Sequence, residues 1–420
     1  MGVLAKTSLR KVRRLIAPGM RVFVPGMSGE SIALFEELRR NSEVADGVTF
    51  VGVHFPGINQ TDYLSLHPNA RQRAYFLTPT LRAGLATGRV DLMPLDYPGI
   101  VRDLEDGPGV DMAIAQVSPP DAHGKCSLGA SYDFVPSIWR GARLRVVHIN
   151  PRVPRTRGSF SVRTEDCHLA FEEESILPTL STGLPDDVSQ LVAIRVAGLV
   201  EDGDTLQIGV GRIQSAVLAA LGGHRRLKIY SGMVTTPILP LIDTGTIDGE
   251  RAVTAGVALG DETFYKRIGT DPTFYFRPAR ETHDVLRLAR IKRFCAVNSA
   301  IEIDLFGQVN ADCINGKLVA GVGGLPAFAA GSRLSAGGRL IIALPATGDG
   351  GRISRIVPSL GRASLVALPR HAADIVATEY GVANLRARSL HERARALIDI
   401  AAPQFRTFLG DAWAAHVATL

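Results

Sequence analysis

One pattern occurs twice in this chain at nearly constant spacing, and it limits the fold more than any other feature. From Gly19 the sequence GMRVFVPGMSGESIALFEEL gives a glycine, an apolar strand, a glycine-containing turn and an amphipathic helix carrying Ile32, Leu34, Phe35 and Leu38. From Gly203, GDTLQIGVGRIQSAVLAAL repeats strand, G-x-G turn and helix at an offset of 184 residues. A second landmark returns almost in step: DMAIAQVSPPDAHGKCS ends a strand in a loop with Asp121 and Gly124, and FCAVNSAIEIDLFGQVN does so with Asp304 and Gly307, at an offset of 183. Two unrelated landmarks sharing almost one offset predict an α/β fold of two homologous open lobes with mainly parallel sheets, rather than many short repeats.

Each paired landmark is followed by another apolar strand, RLRVVHIN at 143–150 and RLIIALPA at 339–346, as parallel sheets covered on both faces require. Between the halves, Thr179 to Ser189 is polar and rich in breakers, and a new helical pattern is read from Leu191. The lobes are accordingly drawn at 1–185 and 190–420, and the end of the chain from Ser389 reads as helical.

At 420 residues, two cores are the natural expectation. The net charge of +6 rests on 40 arginines against 7 lysines, scattered except for Lys6, Arg10, Lys11, Arg13 and Arg14. Such dispersion argues against nucleic acid as partner and fits a solvated surface. No apolar stretch approaches the roughly 20 residues of a membrane helix, and no apolar segment follows the basic N-terminus, so a cytoplasmic location without membrane contact is expected. Cys126, Cys167, Cys295 and Cys313 lie far apart without a C-x-x-C pair, so no metal site is expected and the thiols are read as buried and reduced.

The turn Gly209-Val210-Gly211 before a helix is where bare amides can approach a ligand. A dinucleotide fingerprint would need glycine where Gln214 stands, and no G-K-[ST] follows for a P-loop. A denser signal lies in GVGGLPAFAAGSRLSAGGRLIIALPATGDGGRISRIVPSL at 321–360 and ATEYGVANLRARSLHERARALIDIAAPQFR at 377–406. This block resembles the C-terminal part of the acetyl-CoA hydrolase/4-hydroxybutyrate CoA-transferase family, with its G-x-G-G, S-x-G-G-[KR], S-R-I-V-P and T-E-Y-G-V-A signatures. The likeness extends to NSAIEIDLFGQVNAD at 298–312, QVSPPDAHGKCSLG at 116–129 and NPRVPRTRG at 150–158.

The resemblance implies two related lobes of the CoA-transferase type with the active site between them. It also implies coenzyme A or acyl-CoA as substrate, held mainly by the second lobe, and a homodimer or larger assembly. In that family a glutamate carboxylate attacks the thioester, giving a mixed anhydride and then a glutamyl-CoA thioester. Backbone amides of the two glycine loops hold the thioester oxygen, which here points to Val210 and to Gly323 or Gly324, with Gly209, Gly211, Arg212, Gly321 and Leu325 lining the CoA side.

The family's nucleophile strand ends H-T-E-M or S-E-x, whereas this chain reads LKIYSGM and places Gly232 at the glutamate. Neighbouring departures are His283 for an asparagine, Leu325 for a glutamine, Arg212 for a small residue, and Gln214 and Ser215 for proline and aspartate. His283 has two readings: a general base for water, oriented by Glu281 or Asp284, or a surface loop histidine, which the sequence favours. Ser231 lacks a neighbouring base. His123, Glu302 and Asp304 read as turn and capping residues, Glu379 as a lock on the C-terminal segment, and Arg352 and Arg355 as internally paired. The expected function is acyl-CoA or pantetheine thioester processing without the glutamyl anhydride, by hydrolysis or acyl transfer. The alternative is a non-catalytic acyl-CoA-binding protein or degenerate subunit.

Overall fold

Strand β1, Arg21–Phe23, is almost wholly buried, and β5, Met112–Val117, has no exposed residue. Apolar runs buried on both faces belong inside parallel sheets, and that is where the computed structural model, which describes residues 7–181 and 183–419, places them. The first sheet adds β2 Thr49–Gly52, β3 Arg71–Ala74, β4 Val90–Leu92, β6 Leu144–Ile149 and β7 Leu169–Glu172, in the order β4-β3-β2-β1-β5-β6-β7.

The second sheet is built from β8 Thr205–Ile208, β9 Lys228–Thr235, β10 Val253–Leu259, β11 Phe274–Phe276, β12 Phe294–Ser299, β13 Arg339–Ala343, β14 Ile375–Thr378 and β15 Gly381–Asn384. Its order is β11-β10-β9-β8-β12-β13-β14-β15, the first sheet's order with one antiparallel strand added at the edge. The duplication is therefore present in the topology. It extends to the loops: Asp121 accepts the amides of His123 and Lys125 at 2.9 Å, and Asp304 those of Phe306 and Gln308 at 3.1 and 2.8 Å. Gly124 and Gly307 close both turns at positive φ, 69° and 90°.

The helices that matter to the site are α1 Ile32–Arg40, α2 Tyr97–Asp106, α3 Asp187–Ala197, α4 Arg212–Ala220, α5 Ala279–Thr282, α6 Val285–Arg290 and α7 Leu325–Leu334. Helix α3 starts four residues before the periodicity placed it, because the Asp186 carboxylate accepts the Ser189 amide at 2.8 Å and caps the helix inside the breaker-rich stretch. The C-terminal reading is met by Leu390–Asp399, opened by a capping box of Ser389 and Glu392, and by α8, Pro403–Val417. Lys6 of the basic cluster lies outside the described residues. Cys126, Cys295 and Cys313 are buried and Cys167 half-buried, all as free thiols.

Each half has an apolar cluster of its own, and a third cluster joins them. One cluster of buried apolar side chains runs from Val51, Tyr75 and Trp139 of the first half into Val192, Leu206 and Phe276 of the second. Backbone bridges cross as well, Asp96 to Gly323, Ser131 to Val257 and Gly158 to Phe276. No helix among the described residues is long and apolar enough to cross a membrane.

Candidate functional site

In each sheet the strand order reverses between its first and fifth strands, the place where open α/β sheets leave a crevice at their carboxyl ends. The two crevices are not alike. In the first half Met27 fills the turn after β1 and is 1 % exposed, and a Cβ on Gly26 would lie 2.0 Å from the Val53 carbonyl oxygen. In the second half Val210 is 37 % exposed, and a Cβ on Gly209 would meet nothing nearer than 3.8 Å. The turn that is packed tight in one lobe is therefore looser in the other, where Val210 reaches solvent and Gly209 has room for a Cβ in ordinary contact.

The second turn is shaped by Gly211, whose φ of 137° lies where side chains are strained, and by the buried Gln214, which donates to Ser299. Among the described residues the Val210 amide finds no backbone carbonyl. Arg212 points away to an ion pair with Asp186 at 3.4 Å, on the exposed side. Gly232 lies on β9, which pairs with β10 so that Gly232 stands beside Gly256. The hydroxyl of Ser231 is buried and donates to the Ile208 carbonyl at 3.0 Å, so it holds β9 against β8 and faces no base.

The Gly321–Gly324 loop contributes its glycines for three different reasons. A Cβ on Gly321 would strike the Tyr75 carbonyl oxygen at 2.4 Å, so this residue packs against the first half rather than against a ligand. Gly323 turns at φ 68° while its carbonyl accepts the Tyr97 amide at 3.2 Å. Gly324 opens α7, and among the described residues its amide has no backbone acceptor. Leu325, expected to line the CoA side, is buried in the core formed with Leu288, Phe294 and Phe328, where an apolar side chain is best hidden from water.

His283 is no surface histidine. It ends α5 at 3 % exposure, with its ring 4.0 Å from that of Tyr97 and 4.6 Å from that of Phe328. Its Nδ1 lies 2.9 Å from Thr282 Oγ1, and burial pushes its pKa down to about 3. The carboxylates read as its orienters are engaged elsewhere. Glu281 accepts from Ser159 at 3.1 Å and pairs with Arg277, and Asp284 caps α6 through the Leu286 amide at 2.9 Å. A neutral imidazole without a carboxylate has little support for the charge a general base acquires.

Sequence reading missed Tyr97, Phe328 and Asp133. Tyr97 and Phe328 come from opposite halves to clamp one ring, and nothing in DYPGI or LPAF announces that meeting. Asp133 is buried beside β10, its amide 3.4 Å from the Gly256 carbonyl, and burial raises its carboxyl to about 8. The locking residues sit as read: Ala346 donates to Glu379 at 2.8 Å, Arg352 pairs with Asp349 at 2.6 Å, and Arg355 donates to the Ile301 carbonyl at 2.9 Å, whereas Glu302, read as a turn or capping residue, lies on a strand and accepts from Asn310 and Ser364.

Comparison with known proteins adds the following. Residues 6–173 match the acetyl-CoA hydrolase/transferase N-terminal domain and residues 260–413 the C-terminal domain. The chain is 32 % identical over 398 residues to the 4-hydroxybutyrate coenzyme A transferase of Clostridium kluyveri, covering 93 % of this chain and 92 % of that protein. Among solved structures, RipA from Yersinia pestis is similar at a TM-score of 0.89 and 26 % identity over 97 % of this chain and 96 % of that one. The 4-hydroxybutyrate CoA-transferase of Porphyromonas gingivalis is similar at 0.79 and 26 %, over 96 % of each chain.

Proposed function

The chain belongs to the acetyl-CoA hydrolase/transferase family, and from that premise we propose that the cleft of its second half binds an acyl-CoA or related pantetheine thioester and acts on it without a glutamyl anhydride. The observation that carries this reading is that, among the described residues, the amides of Val210 on one glycine turn and Gly324 on the other have no backbone acceptor, while Gly232 brings no side chain to its strand. Two such donors aimed at a thioester oxygen stabilise the charge that develops as a nucleophile adds to the carbonyl carbon. Position 232 offers no side chain to attack. Water, or an acceptor that carries a proton such as an amine, adds directly to the carbonyl carbon, the C–S bond breaks, the displaced proton goes to the departing thiolate, and the products are the CoA thiol with the free acid or the transferred acyl group.

A second reading, a non-catalytic acyl-CoA-binding protein or a subunit completed by a partner, is favoured by His283. Its buried, neutral ring stands beside Gly232, and Ser231 is committed to the backbone. As an enzyme the protein acts in the cytoplasm as a homodimer. The exposed apolar residues Val188, Leu191 and Ile194 on one face of α3 support self-association.

Thiol release from a panel of acyl-CoAs, with and without carboxylate acceptors, together with calorimetry of CoA binding, separates these readings. Thiol released without an acceptor marks a hydrolase, and conversion of an added carboxylate into a new acyl-CoA with no net thiol released marks a transferase. Binding without either product establishes the second reading. A chain that binds no CoA in either assay refutes both.

A further inference from the structure

Helix α3 buries only one of its faces. Val192, Ala193, Val196 and Ala197 go into the core, and α4 is its main neighbour. The opposite face carries Val188, Leu191 and Ile194 at 37, 50 and 62 % exposure. Three branched aliphatic side chains left in water on one stretch of helix forgo burial that a partner surface would supply.

This face is symmetric about its middle residue. At about 100° of rotation per residue, Asp187, Val188, Ile194 and Arg195 all fall within about 60° of Leu191. Val188 and Ile194 lie three residues to either side of it, and Asp187 and Arg195 four. Laid antiparallel on a copy of itself with Leu191 at the two-fold axis, the helix sets Leu191 against Leu191, Val188 against Ile194 and Asp187 against Arg195. A two-fold interface requires such self-complementarity, because each patch is its own partner. Among the described residues neither the Asp187 carboxylate nor the Arg195 guanidinium has a partner within the chain, so both are free to pair across it. Antiparallel packing also brings the positive N-terminal end of each helix beside the negative end of the other.

We propose that α3 is the centre of a homodimer interface, pairing antiparallel with α3 of a second copy of this chain about a two-fold axis at Leu191. The inference rests on the reading that the protein is a homodimer, and it names the face that makes it one. The aliphatic residues form the dry middle of the contact, and the crossed Asp187–Arg195 pairs fix register and direction more than they add affinity. Asp186, the cap of the same helix, pairs with Arg212 directly after the glycine turn, so the interface adjoins the segment that shapes that turn.

Sedimentation velocity of the full-length chain across a concentration series, with thermal melts to confirm folding, tests this. The parent should dimerise, and Leu191→Glu, which sets two carboxylates face to face at the axis, should raise the dissociation constant at least tenfold. Asp187→Arg and Arg195→Asp should each weaken the dimer severalfold, and the two together should restore it, since every crossed pair is then opposite in sign again. The two positions are eight residues apart on one helix and do not meet within a chain, so a purely local effect gives no such rescue. Leu191→Cys treated with oxidised glutathione should yield a covalent dimer that the parent does not form. A folded Leu191→Glu that dimerises like the parent, or charge reversal without rescue, overturns the inference alone. A parent chain that is monomeric at every concentration overturns the homodimer reading, and the inference with it.

Discussion

At Gly232 the missing side chain and its neighbour's ring are two halves of one arrangement. Gly232→Glu alone places a carboxylate where the imidazole already stands, and overpacking of this kind costs about 1–3 kcal/mol. That variant is expected to lose stability in urea unfolding without gaining acyl transfer. The pair Gly232→Glu with His283→Ala should recover much of the loss, because the second change vacates the space the first requires. Recovery no greater than the sum of the single effects would show that the positions are independent.

Buried titratable groups make stability depend on pH from both sides. Burial pushes His54 and His148 down to about 4 and His283 to about 3. The unfolded chain takes up these protons near pH 6.5 and the native chain does not, so their contribution is complete above that pH and is lost as pH falls toward 3. Asp133 works in the opposite sense. Its usual 3.8 is raised to about 8, so stability is lost as pH climbs from about 4 through 8. In thermal melts, Asp133→Asn should gain on the parent steadily over that interval. A constant difference across it would mean that the carboxyl is not held neutral.

At the scale of elements, the cap of α3 links the segment between the halves to the glycine turn. Asp186 accepts the Ser189 amide at 2.8 Å and pairs with Arg212 at the start of α4 at 3.4 Å. Replacing it by alanine should cost about 1 kcal/mol through the lost cap, with little from the exposed ion pair. Asp204, fully buried beside the start of β8, matters more. It accepts from Arg293 at 3.0 Å and from Arg339, and it receives the Glu201 amide at 2.7 Å. Asp204→Ala takes the buried carboxylate from Arg293 and the half-buried Arg339, which keeps its bonds to the Leu199 carbonyl, and chemical denaturation should show a loss of about 3 kcal/mol.

For the whole molecule, the proposed division at 1–185 and 190–420 describes homologous halves that each keep an apolar cluster of their own and share another across the boundary. Val51, Tyr75 and Trp139 pack in the same cluster as Val192, Leu206 and Phe276, so either half alone exposes a large apolar face. Separately expressed halves are expected to aggregate, and co-expressed halves to co-purify and melt in one transition, which calorimetry can decide. Two independent transitions would refute the shared-core argument.

The sequence alone determined the repeated topology, because periodic apolar strands and glycine turns at an offset of 184 residues are local signals that survive without knowledge of contacts. It also located the glycine turns and the bare residue at 232. Only the tertiary structure decided why each glycine is there. Gly321 yields to the Tyr75 backbone, Gly323 supplies a positive φ, and Gly232 and Gly324 leave room for His283. Tertiary packing also turned a loop histidine into a buried ring packed on Tyr97 and Phe328, and put Leu325 in the core rather than the cleft. The physical reason is distance along the chain. Exclusion of a side chain and desolvation of a ring are set by atoms from remote segments, about which the residues adjacent in sequence carry no information.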